Sequence, residues 1–130
     1  MFCVYNTHMP FRKHIVLVGD AHTLDSFLGP LADAGVLVTQ VEKMGKVLEI
    51  VEDIKADAVV FILPRYWDDI TLLVDELRDK KGFEETPILY VGSLIEGEDQ
   101  RILRMKGVHT LTLGPLMPQE IVRYIVDKLK

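Results

Sequence analysis

The sequence predicts an α/β domain with a doubly wound, five-stranded parallel sheet and helices on both faces. Two kinds of segment in the sequence lead to this prediction. Short, continuous apolar runs, typical of strands buried on both faces, alternate with longer segments whose apolar residues recur at helical spacing. Such alternation favours a parallel sheet, and right-handed crossovers leave 2-1-3-4-5 as the natural strand order. The 130 residues suit one such domain, which we place at residues 13–130, after a flexible extension of residues 1–12.

The predicted strands and helices follow in order along the chain. Apolar runs predict strands at residues 15–18, 36–38, 58–63 and 88–91, and a weaker one at 111–113. The second helix is predicted by apolar residues at i, i+3, i+4 and i+7, counted from Met44. The third is predicted by apolar residues at i, i+3 and i+4, counted from Ile70. Pro118 suits the first turn of the last helix, whereas Pro30 is expected to kink or delay the first. The fourth helix, near residues 99–105, is predicted to be short and polar.

Composition and charge exclude several classes of function. The net charge is −5, so the chain is a poor candidate for a nucleic-acid binder that tracks phosphates. No apolar run approaches the roughly 18 residues of a membrane span, and residues 1–11 lack the pattern of a signal peptide. The single cysteine, Cys3, excludes an intrachain disulfide and suits a reducing compartment. We therefore expect a cytoplasmic protein that has neither nucleic acid nor membrane as a partner.

The expected position of a functional site follows from the fold class. In doubly wound sheets, ligands bind beyond the carboxyl ends of the strands, where the strand order reverses. In this chain that rim consists of residues 19–22, 64–69, 92–93 and 114–115, which follow the first, third, fourth and fifth predicted strands. Any chemistry is expected to reside on these four loops.

Five short motifs carry a resemblance to a known family. They are Ile-Val-Leu-Val-Gly-Asp at 15–20, Asp-Ala-Val-Val-Phe-Ile-Leu at 57–63, Thr-Pro-Ile-Leu-Tyr-Val-Gly-Ser at 86–93, Gly-Val-His-Thr-Leu-Thr-Leu-Gly-Pro-Leu at 107–116, and Pro-Gln-Glu-Ile at 118–121. In this order and spacing, residues 13–130 resemble the receiver domain of two-component response regulators, which has a flavodoxin-like fold. The resemblance implies a role in signal transduction by phosphorelay.

The chemistry of that family needs particular groups at the rim. Two acidic residues after the first strand and an aspartate ending the third hold Mg²⁺, a hard cation that requires oxygen ligands. The aspartate accepts the phosphoryl group, whose charge the metal neutralises. A serine or threonine ending the fourth strand and a lysine before a proline after the fifth contact the phosphoryl oxygens.

Most of these groups have no counterpart in this sequence. The family's positions fall, in chain order, on Gly19, Asp20, Ile62, Gly92 with Ser93 one residue late, Gly114 and Pro115. The nucleophile, one metal carboxylate and the lysine are therefore missing, and Asp20 alone cannot assemble a Mg²⁺ site. The resemblance thus implies a degenerate receiver, or pseudo-receiver, that is not an enzyme and has no metal, cofactor or catalytic residue.

Protein–protein contact is then the expected work of the domain, with another signalling protein or with a second copy of the chain. In the family, the usual contact face comprises the fourth helix, the fifth strand and the fifth helix. The positions of that face fall on Arg101, Arg104, Met105, His109, Thr110, Gln119, Arg123, Tyr124 and Asp127.

Other interpretations of the rim residues remain open at this stage. His22 and Asp20 form Asp-x-His, which resembles the start of a cobalamin-binding signature and favours a small-ligand domain of the same fold. The simpler interpretations are an exposed loop histidine and an aspartate that caps the first helix. Arg65, Tyr66 and Trp67 are residue types enriched at binding hot spots, although Trp67 packing inward over a vacant acidic pocket is an equal alternative.

A third hypothesis keeps the phosphorylation chemistry. Asp68 lies in the loop after the third strand and is the carboxylate that an ordinary receiver with an unconventional acceptor would use. Because Val59 to Leu63 contains no carboxylate, a shift of the alignment by one or two residues does not supply the usual acceptor. We rank this hypothesis below the other two.

Overall fold

The apolar runs pair into one parallel sheet in the computed structural model of the chain, which describes residues 13–63, 70–92, 97–112 and 118–129. The strands are β1 (His14–Val18), β2 (Leu37–Val41), β3 (Ala58–Leu63), β4 (Ile88–Gly92) and β5 (Val108–Thr112). Their order is β2-β1-β3-β4-β5, and every neighbouring pair is parallel, as predicted. The predicted extension, residues 1–12, lies outside the described residues.

A helix follows each strand. They are α1 (Ala21–Asp33), α2 (Val47–Ile54), α3 (Ile70–Asp79), α4 (Gly97–Met105) and α5 (Pro118–Leu129). A 3₁₀ turn, Met44–Lys46, precedes α2, so the α-helical part of that segment begins later than its apolar spacing predicts. Pro118 is the first residue of α5, where its missing N–H costs no helical hydrogen bond.

The core consists of two apolar layers, one on each side of the sheet. The six residues of β3 are all buried, and because successive side chains alternate, Val59, Phe61 and Leu63 face one layer while Ala58, Val60 and Ile62 face the other. The first layer includes apolar residues of α2, α3 and α4, and the second those of α1 and α5. This burial on both faces explains the continuous apolar run of the sequence.

Two strands differ from their predicted bounds because they lie at the edges of the sheet. β5 begins at Val108, before the predicted 111–113, and its polar residues His109 and Thr110 are half-buried. β2 begins at Leu37 and extends to Val41, and Leu37 is 43% exposed, so this strand is not buried on both faces. Polar and exposed residues are tolerated there because an edge strand has only one neighbouring strand.

The first helix also differs from its prediction. α1 continues through Pro30 to Asp33, so the proline neither delays nor ends it. Part of the usual clash at such a position comes from the Cβ of the preceding residue, and Gly29 has none. The carbonyl oxygen of Pro30 accepts a hydrogen bond from the amide of Ala34, which closes the last turn.

Arg78 on α3 joins two turns beneath the amino ends of β4 and β5. Its guanidinium donates to the carbonyl oxygens of Thr86 at 2.6 Å and Phe83 at 3.4 Å in the first turn. It also donates to those of Lys106 and Gly107 in the second, both at 3.5 Å. Burial lowers the pKa of Arg78 from its ordinary value. One partly buried cation thus satisfies carbonyl groups from two separate turns.

The substitution Arg78→Met, which keeps the aliphatic stem and removes every donor, is expected to lower the free energy of unfolding by about 2 kcal/mol, because hydrogen bonds from a charged group are lost. Urea denaturation measures the change. Arg101→Met is the matched control. Arg101 is 64% exposed and pairs only loosely with Glu98 at 3.8 Å, so its replacement should cost less than about 0.5 kcal/mol. Equal losses for the two variants would contradict the assigned role of Arg78.

Candidate functional site

The parallel register brings the carboxyl ends of the central strands together at one edge. Val18, the last residue of β1, pairs with Phe61 of β3, and Leu63, the last residue of β3, pairs with Gly92 of β4. Gly19 therefore follows β1 directly beside Ile62. Of the predicted rim, residues 19–22 and Gly92 lie among the described residues. Its other predicted members lie outside the described residues: Arg65, Tyr66, Trp67, Asp68, Ser93, Gly114 and Pro115.

Asp20 caps α1, as one of the two interpretations of this residue predicts. Its carboxylate accepts hydrogen bonds from the backbone N–H of Thr23 at 3.1 Å and from the Thr23 hydroxyl at 2.7 Å. These bonds to Thr23, the hydroxyl's first, lower the pKa of Asp20 from its ordinary value. Both oxygens of the carboxylate are used in the cap, which is the role that aspartate commonly has before a helix.

A second carboxylate at this edge is one that sequence reasoning missed. Glu42 follows β2, and its Oε1 accepts a hydrogen bond from the backbone N–H of Ala21 at 2.8 Å. Its position directly after a parallel strand was the available signal.

His22 is exposed in the first turn of α1. Within the described ranges, no three histidine, cysteine, aspartate or glutamate residues come together as a group that would hold a metal ion.

Gly19 and Ile62 close the rim between β1 and β3. A Cβ atom placed on Gly19 would lie 2.5 Å from the carbonyl oxygen of Ile62 and 3.1 Å from Cδ2 of Leu24. The side chain of Ile62 has no exposed surface and belongs to the apolar layer beneath α1 and α5. This backbone therefore leaves no space for an acidic side chain at residue 19, and the side chain of residue 62 has no oxygen to offer to the rim.

Tyr90 fills the corresponding space between β3 and β4. A Cβ atom on Gly92 would lie 2.9 Å from the Tyr90 hydroxyl oxygen and 3.2 Å from the carbonyl oxygen of Leu63. Tyr90 is completely buried, and its ring lies in the layer that contains Phe61. Sequence reasoning did not single out Tyr90. The signal was a large side chain two residues before a glycine, because residues i and i+2 of a strand share a face.

Comparisons with known proteins agree with this architecture. No family model matches the chain, and no curated protein matches it. Solved structures do match. An orphan response regulator of H. pylori, HP1043, has a TM-score of 0.79 at 12% identity over 91% of this chain and 97% of its own. A CheY-like receiver domain protein of Methanospirillum hungatei has 0.77 at 20% identity over 91% and 94%. A response regulator of Burkholderia multivorans has 0.70 at 20% over 92% and 97%.

The chain has the fold of a response-regulator receiver domain. The sheet order 2-1-3-4-5 with five helices is the CheY-like, flavodoxin-like arrangement that the sequence predicts. The coverage of each chain shows that the likeness includes the whole domain of these structures. No helix among the described residues is long and apolar enough to cross a membrane.

The second predicted site of this receiver fold, the face of α4, β5 and α5, divides into two parts. Arg104, His109, Thr110 and Tyr124 line or border one cavity of 310 Å³ along β5. Arg123 and Gln119 instead line a separate groove of 390 Å³ between α5 and the end of α1. The family's single face is therefore two neighbouring surfaces in this chain. Of its other predicted members, Met105 is 74% exposed, and Arg101 and Asp127 are exposed as well.

Specific contacts organise the cavity along β5. Arg104 donates from Nε to the Thr110 hydroxyl at 3.1 Å, and Gln100 donates to the same oxygen at 3.3 Å. The rings of His109 and Tyr124 meet edge to face with centroids 6.4 Å apart. The ammonium nitrogen of Lys128, a residue that sequence reasoning missed, lies 5.1 Å from the centroid of the Tyr124 ring. Lys128 follows Tyr124 by one helical turn, which was the available signal.

His109 lies in a positive environment. Burial lowers its pKa from the ordinary value, and the positive charges of Lys128 and Arg78 lower it further. A histidine pKa below about 6.5 leaves the imidazole mostly uncharged at neutral pH. The floor of the cavity therefore presents a neutral ring, while the charged groups around it are cations.

Proposed function

We propose that this chain is a pseudo-receiver: a non-catalytic signalling domain that acts through protein–protein contact, without phosphotransfer at the rim. One observation carries most of the proposal. The position that the resemblance assigns to the phosphate-accepting aspartate is Ile62, which is completely buried and whose carbonyl oxygen lies against Gly19. A phosphoryl group needs an exposed oxygen nucleophile with a metal beside it, and neither residue supplies one.

The other rim residues support the same proposal. The carboxylates of Asp20 and Glu42 both cap the first turn of α1 and so contribute to stability. The space beside Gly92, the family's hydroxyl position, contains the phenol group of Tyr90. The polar side chains of this rim thus stabilise the fold, and core side chains fill the space that the phosphoryl group's ligands would need. These contacts support a structural role for the rim rather than a catalytic one.

Loss of the acceptor changes how such a domain is controlled. In ordinary receivers, phosphorylation shifts the population of two conformations. A pseudo-receiver either holds one conformation or is biased by the partner that binds it. We propose a cytoplasmic protein partner, or a second copy of the chain, at the face of α4, β5 and α5. Met105, 74% exposed at the end of α4, offers an adaptable apolar side chain there.

The experiment that tests the absence of phosphotransfer uses beryllofluoride with Mg²⁺, which mimics the phosphoryl group. We expect amide NMR signals of Gly19, Asp20 and Gly92 to stay where they are when both are added. We also expect the intact mass of the chain to be unchanged after incubation with acetyl phosphate and Mg²⁺. An ordinary receiver with its aspartate, treated in parallel, supplies the positive control for both measurements.

Two results would overturn this part of the proposal. A mass increase of one phosphoryl group, lost on treatment with hydroxylamine, would establish an acyl phosphate on the chain. Peptide mapping would then assign the acceptor, with Asp68 as the first residue to inspect. Saturable shifts of the rim amides with beryllofluoride would have the same consequence even without a stable covalent product.

A further inference from the structure

The cavity along β5 indicates what kind of partner this face accepts. We propose that the cavity bordered by Arg104, His109 and Tyr124 receives the carboxylate of an aspartate or glutamate from an acidic segment of a partner protein. The inference rests on the proposed function, because it names the chemistry of the partner that the α4–β5–α5 face binds. Three properties of the cavity carry it: its size, its charge and the way its cations are held.

The size of the cavity leaves room for an acidic side chain together with the adjoining part of the segment that carries it. The cavity measures 310 Å³, with half-buried residues of the edge strand β5 as its floor and residues of α4 and α5 at its sides. None of the described residues that line it is acidic. Its lining consists of Arg104, Gly107, Val108, His109, Thr110 and Tyr124.

The charge of the cavity is opposite to that of the chain. The net charge is −5, yet Arg104 on α4 lines this cavity, and Lys128 on α5 and Arg78 on α3 both lie close enough to act on His109. Among the described residues, two carboxylates near this face pair with other cations, Glu98 with Arg101 and Asp75 with Lys106. A local positive site on an acidic domain favours an acidic partner and disfavours a second strongly basic one.

Arg104, which lines the cavity, and Lys128, which lies over the lining residue Tyr124, each already have a contact within the chain. The Thr110 hydroxyl accepts from Nε of Arg104, a bond in which the two terminal nitrogens of the guanidinium take no part. Lys128 lies over the Tyr124 ring at 5.1 Å. Ordering a long charged side chain opposes binding, so cations that are held before the partner arrives bind a carboxylate more tightly. The planar guanidinium also suits a carboxylate geometrically.

His109 makes the interaction sensitive to pH. The charged and titratable groups that face it are Arg78 from α3, Arg104 from α4, and Tyr124 and Lys128 from α5. The cations favour the neutral ring, whereas an arriving carboxylate favours the protonated ring. Binding then raises the pKa of His109 and takes up a proton. Affinity should therefore increase as the pH falls from about 7.5 to about 5.5, where a glutamate with a pKa near 4.3 is still ionised.

An acidic protein segment fits these observations better than a nucleic acid does. A nucleic acid presents a repeated row of phosphates and needs a stripe of cations to match it. The cavity is one site on a chain whose net charge of −5 repels a polyanion. A single carboxylate with neighbouring acidic residues meets the cations without bringing a long charged backbone over the rest of the surface.

The experiment is an amide NMR titration of the full chain with a short synthetic peptide of alternating glutamate and serine. A peptide of alternating glutamine and serine is the uncharged comparison. We expect shifts centred on Arg104, His109 and Thr110, a raised pKa of His109 at saturation, and no such shifts with the glutamine peptide. The double variant Arg104→Gln with Lys128→Gln should bind the glutamate peptide about tenfold more weakly, since each exposed pair contributes a few-fold.

The matched control removes the same charge elsewhere. Lys43→Gln with Lys46→Gln lies beyond β2, at the opposite edge of the sheet from β5, and both lysines are exposed. This variant should weaken peptide binding less than twofold. Equal weakening by the two double variants would show a net-charge effect and overturn the inference. So would equal binding of the glutamine peptide, or tighter binding of a single-stranded DNA oligonucleotide at the same residues.

The outcome is independent of the phosphorylation experiment. An acyl phosphate would end the proposed function while leaving the peptide titration standing as a measurement of this cavity. Failure of the glutamate peptide to bind, with no response to beryllofluoride, would overturn the carboxylate inference and leave the pseudo-receiver proposal in place.

Discussion

Ile62→Asp is expected to lower the free energy of unfolding by more than about 4 kcal/mol, without giving the domain phosphotransfer activity. This substitution restores the residue that the resemblance assigns to the acceptor position. A domain of this size has about 5–15 kcal/mol of stability in total. The loss therefore removes between about a quarter and four-fifths of the stability, and the variant is expected to unfold at a much lower urea concentration than the wild type.

The reason is the environment of residue 62. Its side chain is completely buried in the apolar layer that includes Leu24, and the described residues of that layer are all hydrophobic. A carboxylate there loses its hydration and finds no cation, so either the charge or the protonated acid is buried without compensation. Neither Gly19 nor Asp20, which caps α1, is arranged to provide the metal site that makes this aspartate useful in ordinary receivers.

Urea denaturation of three variants separates the causes. Ile62→Val removes one methylene group and should cost about 1 kcal/mol. Ile62→Asn has the size of aspartate without its charge, so its loss of stability should depend little on pH. Burial is expected to raise the folded-state pKa of Asp at residue 62 above its unfolded value. The loss from Ile62→Asp is then full above that raised pKa and shrinks as the pH falls toward the unfolded value near 3.9.

A stable Ile62→Asp domain would be the contradicting result. If the variant unfolds within about 1 kcal/mol of the wild type and its rim amides respond to beryllofluoride with Mg²⁺, residue 62 is accessible from the rim. The proposal that the rim is closed to phosphotransfer would then be wrong.

Gly19→Ala is the second substitution with a large expected effect, a loss of about 3 kcal/mol or more. The added Cβ would lie 2.5 Å from the carbonyl oxygen of Ile62, a distance that real Cβ contacts do not reach. The contact is with backbone in the central strand of the sheet, so the carbonyl cannot swing away as a flexible side chain does. Overpacking at such a site forces the strands apart at the rim. An aspartate at residue 19, the family's first acidic residue, carries the same Cβ and should cost at least as much.

Gly45→Ala is the control for the Gly19 substitution. A Cβ on Gly45, in the 3₁₀ turn before α2, meets no atom within 4 Å, and its backbone does not have a positive φ. The substitution should change stability by no more than about 0.5 kcal/mol, as is usual for surface positions. Thermal and urea unfolding of both variants give the comparison. If Gly19→Ala is as mild as Gly45→Ala, the rim is not closed in the way we describe.

The rim has little space for the groups that phosphotransfer would need. Three positions of the family's site lie against core or backbone atoms: Gly19 against Ile62, residue 62 within the apolar layer, and Gly92 against Tyr90. Restoring one functional group at a time is expected to damage the fold, because the space that each group needs is already filled. We therefore expect that single substitutions at these positions do not give the domain phosphotransfer activity.

The fold could be predicted from the sequence because its signals are local or simply repeated. Continuous apolar runs at 15–18, 58–63 and 88–91 correspond to β1, β3 and β4, whose burial on both faces leaves no polar positions. The predictions for the start of β5 and for Pro30 in α1 were wrong because both lie where one side is exposed. His109 and Thr110 obscure the start of β5, and Gly29 changes the consequence of Pro30, because an edge strand and an exposed helix face tolerate what the centre of the sheet does not.

For the candidate site, too, some features follow from the sequence and others only from the structure. The sequence by itself determined that residues 58–63 contain no carboxylate and that Asp20 follows a strand at a helix start. Only the tertiary structure decided that Tyr90 fills the space beside Gly92, that Glu42 reaches α1, and that Lys128 joins the surroundings of His109. The physical reason is that the sequence gives the chemical type of each residue directly. The distance between side chains on different strands and helices depends instead on how the layers pack.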